Sequence, residues 1–239
     1  HFLAKTARSQ GIEHLGLYVG QRARFENLGD FGRLVCSSFT LHESIARAQQ
    51  LMAAYSSGEC LWLTIRGDQA LLGHRFAVDS GQVCRQADEY ALMQLWNLVC
   101  RAAGTAWRPR EVHLQSGPVS GLSQFDRLAE TRLVFNQPAT AVFLPRTLLS
   151  LPLKKPAKPA APTGTETDLW MSAPAGDFSG SVRQVLDVLL QDGYPDIGLA
   201  AKAAGMSVRT FQRRLANTGF GYGRLIEQVR FEKAVRLLA

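Results

Sequence analysis

The stretch GMSVRTFQRRL, Gly205 to Leu215, carries Arg209, Arg213 and Arg214 together with Phe211 and Leu215 at i, i+4 spacing. With Ser207 as the N-cap of a helix, a rotation of about 100° per residue puts Phe211 and Leu215 on one inward face. Arg209, Gln212 and Arg213 fall on the opposite side, with Ala216 among them, and Thr210, Arg214 and Asn217 flank that arc. The chemistry this permits is the reading of base edges. A guanidinium can bridge guanine O6 and N7, and a carboxamide can bridge adenine N6 and N7. Ser207 at the helix start, with Thr210, Arg214 and Asn217, suits phosphate oxygens, which position a reader without specifying sequence. The competing reading is a solvated arginine-rich helix, since charge runs usually face water.

A reading helix needs a support that crosses it closely. Ile197, Ala200, Ala201 and Ala204 form a small-residue face just upstream, and Gly205-Met206-Ser207 makes a sharp turn between the two segments. This spacing predicts a helix-turn-helix with the second helix as the reader. An amphipathic helix is expected before it, over 181–193, with Val182, Val185, Leu186 and Leu189 on one face and Gly193 as its stop. A long helix is expected after it, over 222–239.

The residues before 152 mix periods. Thr40 and Glu43 have capping-box spacing ahead of a helical pattern through Tyr55. The runs 60–67 and 69–78, separated at Gly67-Asp68, predict a β-hairpin. A helix follows over 87–101, then a short strand at 111–115, a helix near 120–130, and strands at 132–135 and 140–144. The expectation is an α+β domain over 1–151 and an all-α domain over 179–239. Six of the ten prolines lie between Pro145 and Pro174, so 152–178 reads as a Pro/Ala/Lys-rich interdomain linker. If the first domain has a pocket, it falls between the hairpin and helix 87–101, near His74, Arg75, Tyr90, Gln94 and Trp96. Aromatic stripes at helical spacing equally mean packing, and no ligand residue is assigned.

The pattern A-x-x-x-G-M-S-x-R-T-x-Q-R-R-L, carried by Ala201, Gly205, Met206, Ser207, Arg209, Thr210, Gln212, Arg213, Arg214 and Leu215, continues with Gly219, Arg230, Ala234, Leu237 and Leu238. It resembles the first helix-turn-helix and joining helix of the DNA-binding domain of AraC/XylS bacterial transcription regulators. That domain has two such units, and this sequence ends within the joining helix. A start at His1 and an end inside a helical pattern read as a fragment. Residues 1–153 resemble, more diffusely, the arabinose-binding-like sensor domain of one branch of the family, through FGRLVCSSFTLHESIARAQQL, the hairpin, EVHL and RLVFNQPATAVFLPRTLLSLPL. The resemblance implies that Arg209, Gln212 and Arg213 occupy base-contacting positions. It also implies a cytoplasmic regulator of promoter DNA, with RNA polymerase as a further contact and a small-molecule effector or homodimer formation at the first domain.

Composition agrees with a polyanionic partner. The formal net charge is +7, and residues 181–239 carry 9 Lys/Arg against 5 Asp/Glu while 1–153 carry 15 against 12. Cys36, Cys60, Cys84 and Cys100 form no C-x-x-C pair and lack histidines at ligand spacing, so reduced, mostly core thiols are expected and neither metal nor cofactor is assigned. No apolar run is long enough to span a membrane. No G-x-S-x-G, P-loop or H-E-x-x-H pattern is present, and no enzymatic activity is expected. Two alternatives remain: a partner or oligomerisation module that does not bind DNA, and an enzyme with a helical targeting tail.

Overall fold

The computed structural model describes residues 2–76, 85–154, 164–191 and 193–238. These form two units, His1–Ala173 and Pro174–Ala239.

The first unit opens with three helices, α1 (Phe2–Gln10), α2 (Leu15–Arg22) and α3 (Gly29–Cys36). Helix α4 (Leu41–Tyr55) begins at Thr40, whose side chain accepts from the Glu43 N–H while the Glu43 carboxylate takes the Thr40 N–H, so the capping box closes as its spacing predicts. Strands β1 (Glu59–Arg66) and β2 (Gln69–Phe76) form the expected hairpin, and Gly67 takes the left-handed φ of 60° that its tight turn requires. The tail of the second predicted run, Ala77-Val78, lies outside the described residues. Helix α5 (Arg85–Ala103) covers the predicted helix and extends it at both ends. Strands β3 (Glu111–His113), β4 (Arg132–Val134) and β5 (Thr140–Pro145) complete a sheet of order β1-β2-β5-β3-β4, in which β3 and β4 alone run parallel among the described pairs.

Two expectations change. Residues 120–130 form a 3-10 turn over Leu122–Gln124 followed by further turns, where a longer helix was expected. Phe125 N–H donates to Leu122, Leu128 to Phe125 and Thr131 to Leu128, so three successive three-residue steps bury Leu122, Phe125 and Leu128. Apolar residues spaced strictly by three fit that geometry better than an α-helix. Within the expected linker, residues 155–163 lie outside the described residues, but Glu166–Met171 forms a helix, α6, capped by Thr165 and Asp168. Leu169 buries into the first unit's core, and the Glu166 carboxylate meets Arg47 of α4 at 2.6 Å. A composition poor in apolar residues hid this docking, because one buried leucine and one ion pair accomplish it.

The core of this unit joins α4 and α5 to one face of the sheet through packing around Ile45, Leu51, Leu72, Leu92, Trp96, Val99, Val142 and Leu144. Helix α2 crosses α5 at very short range. A Cβ at Gly16 would overlap the Gln86 backbone carbonyl, and one at Gly20 would overlap the Met93 side chain. Gly16→Ala is therefore expected to lower the unfolding free energy by about 1–3 kcal/mol through overpacking. Gly58→Ala, with open space around it, should stay within about 0.5 kcal/mol. Urea unfolding of both variants checks this.

Candidate nucleic-acid interface

The described residues of the second unit form helices α7 (Phe178–Leu189), α8 (Ile197–Ala203), α9 (Val208–Asn217) and α10 (Tyr222–Leu238). Asp177 and Asp196 cap α7 and α8, their carboxylates accepting from the Gly180 and Leu199 N–H groups. The predicted stop of the first of these helices falls at Leu189, before Gly193, and Asp192 lies outside the described residues.

Two glycines fix both ends of the segment that presents α9. At the end of α8, Gly205 has φ 66°, its N–H donates to Lys202, and the Met206 N–H reaches back to Ala201. At the end of α9, Gly219 has φ 82°, its N–H donates to Ala216, and the Phe220 N–H reaches back to Leu215. Both are Schellman closures, and Met206 and Phe220 supply the apolar contact that accompanies them by packing on the unit's core. A side chain with Cβ is strained at each of these φ values.

Phe211 and Leu215 are each 1% exposed and pack with Val182, Leu186, Ala200, Ala201, Leu225, Ile226 and Val229. Phe178 and Tyr222 rings meet Phe211 edge-on at 5.6 and 6.2 Å. The opposite face of α9 is exposed at Arg209, Gln212, Arg213 and Ala216. Among the described residues the side chains of Arg209, Gln212 and Arg213 make no hydrogen bond or ion pair, so the three groups sit together, exposed and uncommitted.

The flanking residues differ in their commitments. Asn217, at the last turn of α9, is exposed. The Ser207 hydroxyl accepts from the Thr210 N–H at 3.3 Å and donates to the Thr210 hydroxyl at 3.0 Å, which makes it a cap first. The Arg214 guanidinium lies 5.9 Å from the centre of the Phe178 ring, a cation–π contact that draws it towards α7. Other cations of the unit are held internally: Arg183 pairs with Glu232 at 2.8 Å, Arg230 with Glu227 at 3.0 Å, and Lys233 donates to the Asp187 carbonyl at 2.8 Å. Lys202 and Arg224, which spacing did not single out, are exposed and make no ion pair among the described residues.

In the first unit, the groups between hairpin and helix separate. Trp96 is fully buried core, its indole N–H donating to the Trp107 carbonyl at 3.2 Å. Arg75 is exposed on the other face of the sheet. His74 is 3% exposed and bonds Glu59 at 2.9 Å, while the Gln94 carboxamide is buried with no partner among the described residues. His14, distant in sequence, sits 2.8 Å from both the Glu89 carboxylate and the Ser120 carbonyl. Cys100 is buried, Cys36 half-buried and Cys60 exposed, so burial of the thiols is less general than spacing suggested; Cys84 lies outside the described residues. Burial raises the Cys36 thiol to about 12, against nucleophilic use. Among the described residues no His/Cys/Asp/Glu group is arranged to hold a metal ion, and no helix is long and apolar enough to cross a membrane.

Residues 1–153 match the family model described as the arabinose-binding domain of AraC transcription regulators, N-terminal. The first unit thus falls in the class of N-terminal domains of transcription regulators. The chain belongs to the AraC family, with an arabinose-binding-like N-terminal domain. The description is the family's and assigns no ligand to this chain. Among solved structures, the transcriptional regulator CdpR from Pseudomonas aeruginosa is similar at 21% identity, over 93% of this chain and 73% of that one, with a TM-score of 0.45. No curated protein matches the chain.

Two measurements follow from the second unit. Phe211→Ala should cost about 3–5 kcal/mol of its stability, whereas Arg213→Ala should stay within about 0.5 kcal/mol, both by urea unfolding. Tyr222 donates to the Pro195 carbonyl at 2.8 Å, and burial, with Tyr194 and Asp196 nearby, raises its phenol from 10.0 to about 12. The fold thus favours the neutral hydroxyl. Its contribution is intact below the unfolded value and is lost as pH climbs towards the folded one. Tyr222→Phe should remove that alkaline loss, read as the pH dependence of the urea midpoint.

Proposed function

We propose that the chain is a DNA-binding transcription regulator that reads promoter DNA through a helix-turn-helix of α8 and α9. Helix α9 enters the major groove. Arg209, Gln212 and Arg213 read base edges, while Thr210, Arg214, Asn217 and the Ser207 end of the helix lie against phosphates. The first unit governs this activity through a small molecule or through self-association. The observation that carries the reading is the division of α9: Phe211 and Leu215 on its apolar face are buried by the fold, and its arginine and glutamine face is used by nothing else among the described residues. Membership in the AraC family supports the same assignment.

One observation favours a partner module instead. Phe231, Val235 and Leu238 recur along α10 at 72%, 50% and 89% exposure, an apolar stripe of the kind that covers a partner. In that case α9 is a bystander.

Fluorescence anisotropy of the full-length protein on its own promoter and on scrambled DNA, across a salt series, separates the two. Arg209→Ala and Arg213→Ala are each expected to lose about 1–3 kcal/mol at particular base pairs. Lys154→Ala should at most weaken all sequences alike. Lys202→Ala and Arg224→Ala, where they meet phosphate, should each reduce the salt slope by about 1 with promoter preference kept. Promoter preference unchanged by both Arg209→Ala and Arg213→Ala would hand the function to the α10 surface.

A further inference from the structure

An antiparallel sheet covered on one side normally alternates apolar residues inward and polar residues outward. This sheet breaks that rule in its middle. Leu72, Val142 and Leu144 point into the core shared with α4 and α5. The register places Trp62 opposite Gly73, Thr64 opposite Leu71, Leu71 opposite Phe143 and Gly73 opposite Ala141, all on the other face. That outward face is therefore chiefly aromatic and aliphatic at its centre and becomes charged at its ends. Departures from local pattern with no gain for folding concentrate at functional sites.

The outward face carries a groove of about 620 Å³, a volume within the range of small-molecule sites. Trp62 forms one wall. Its indole lies directly over Gly73, where any Cβ would overlap the ring. Phe143 forms the other wall, met edge-on by His113 at 4.8 Å. His113 is itself held by Glu111 at 2.8 Å, and Glu111 by Arg132 at 3.2 Å, so those charges are mutually compensated. Arg66, Asp68 and Gln69, which also line the groove, come together at the hairpin turn. Arg66 and Asp68 are two residues apart and exposed, yet neither makes an ion pair or side-chain hydrogen bond among the described residues.

We infer that this groove binds an α-amino acid with an apolar or aromatic side chain. An aromatic channel that ends beside an uncommitted guanidinium and an uncommitted carboxylate matches a zwitterion with an apolar body. Arg66 takes the carboxylate, for which a guanidinium fork is suited. Asp68 takes the ammonium, Gln69 adds a carboxamide to the same end, and the side chain runs between Trp62 and Phe143 over Leu71. This assignment rests on the reading of the first unit as the effector-binding half of the protein only for the ligand's role. The site itself stands on the groove.

Isothermal titration of the full-length protein with L-phenylalanine, L-leucine, 3-phenylpropionate and phenethylamine tests it. One or both amino acids should bind saturably. The two phenyl analogues, each lacking one charged group, should bind at least about tenfold more weakly than L-phenylalanine, the scale of one lost charged hydrogen bond. Arg66→Gln should abolish discrimination against phenethylamine, and Asp68→Asn discrimination against 3-phenylpropionate, while circular dichroism stays unchanged. Trp62→Leu should weaken the amino acids and both analogues. Absence of saturable binding by either amino acid, equal binding of the three phenyl probes, or binding indifferent to Arg66→Gln and Asp68→Asn would each overturn the assignment. Because these titrations contain no DNA, they succeed or fail independently of promoter reading. A promoter affinity unmoved by a bound amino acid would leave the site in place and remove only its role as the effector site.

Discussion

An unpaired polar group removed from water costs free energy, so a helix buried on most of its surface pairs most of its polar side chains within the protein. Helix α5 imposes that constraint on the first unit. Asp88 is fully buried and accepts from the Thr140 hydroxyl of β5 and, at 2.8 Å, from the Ser116 N–H. Gln86 accepts from the Gly16 N–H at 2.8 Å and donates to the Glu13 carbonyl at 2.7 Å. Asn97 donates to the Gly20 and Ala23 carbonyls at 2.9 and 3.0 Å. Glu89 is 2% exposed; burial raises its carboxyl, and the His14 hydrogen bond and charge oppose that rise. These bonds tie α5 to helix α2, the loop after β3 and strand β5, which thus take their places from one element.

The second unit solves a different problem with fewer residues. Its described helices share a small core, and chain reversals at Gly205 and Gly219 close without bulky loops. The close crossing of α8 and α9 follows from Ala200 and Ala201, each 1% exposed, since a larger residue at either point would hold the helices apart. Internal ion pairs collect on α7 and α10, which leaves the exposed face of α9 as uncompensated positive charge.

Much of this was legible in the sequence. The capping box at Thr40, the hairpin around Gly67, the long helix at 85–103 and the succession from Asp196 to Leu238 carry local signals strong enough to read directly. The N-terminal helices were not legible. Gly16, Gly20, Gly29 and Gly32 suppress helix propensity there, yet Gly16, Gly20 and Gly32 are sites where backbone approaches other atoms too closely for a Cβ. Tertiary contact overrides propensity at such places, and a single sequence does not display the partner. The same limit hid α6, whose docking depends on Arg47, far away in the chain. For the candidate reading helix, the division between Phe211 and Arg213 needed only the period of a helix. The engagement of Ser207 with Thr210, and of Arg214 with Phe178, needed coordinates. The outward aromatic face of the sheet is not legible in the sequence either, because alternation within one strand does not say which neighbours lie alongside.

The separation of roles on α9 bears on how such a surface changes over generations. Arg209, Gln212 and Arg213 contribute nothing by contact to the interior, whereas Phe211 and Leu215, interleaved with them in the chain, are the helix's buried anchors. Adjacent positions are therefore under unrelated structural constraints. Substitution at any of the three changes the exposed chemistry of the helix without touching its buried anchors, while Phe211 and Leu215 are held by packing. A helix built in this way can be re-surfaced on one side while the packing that holds it stays the same.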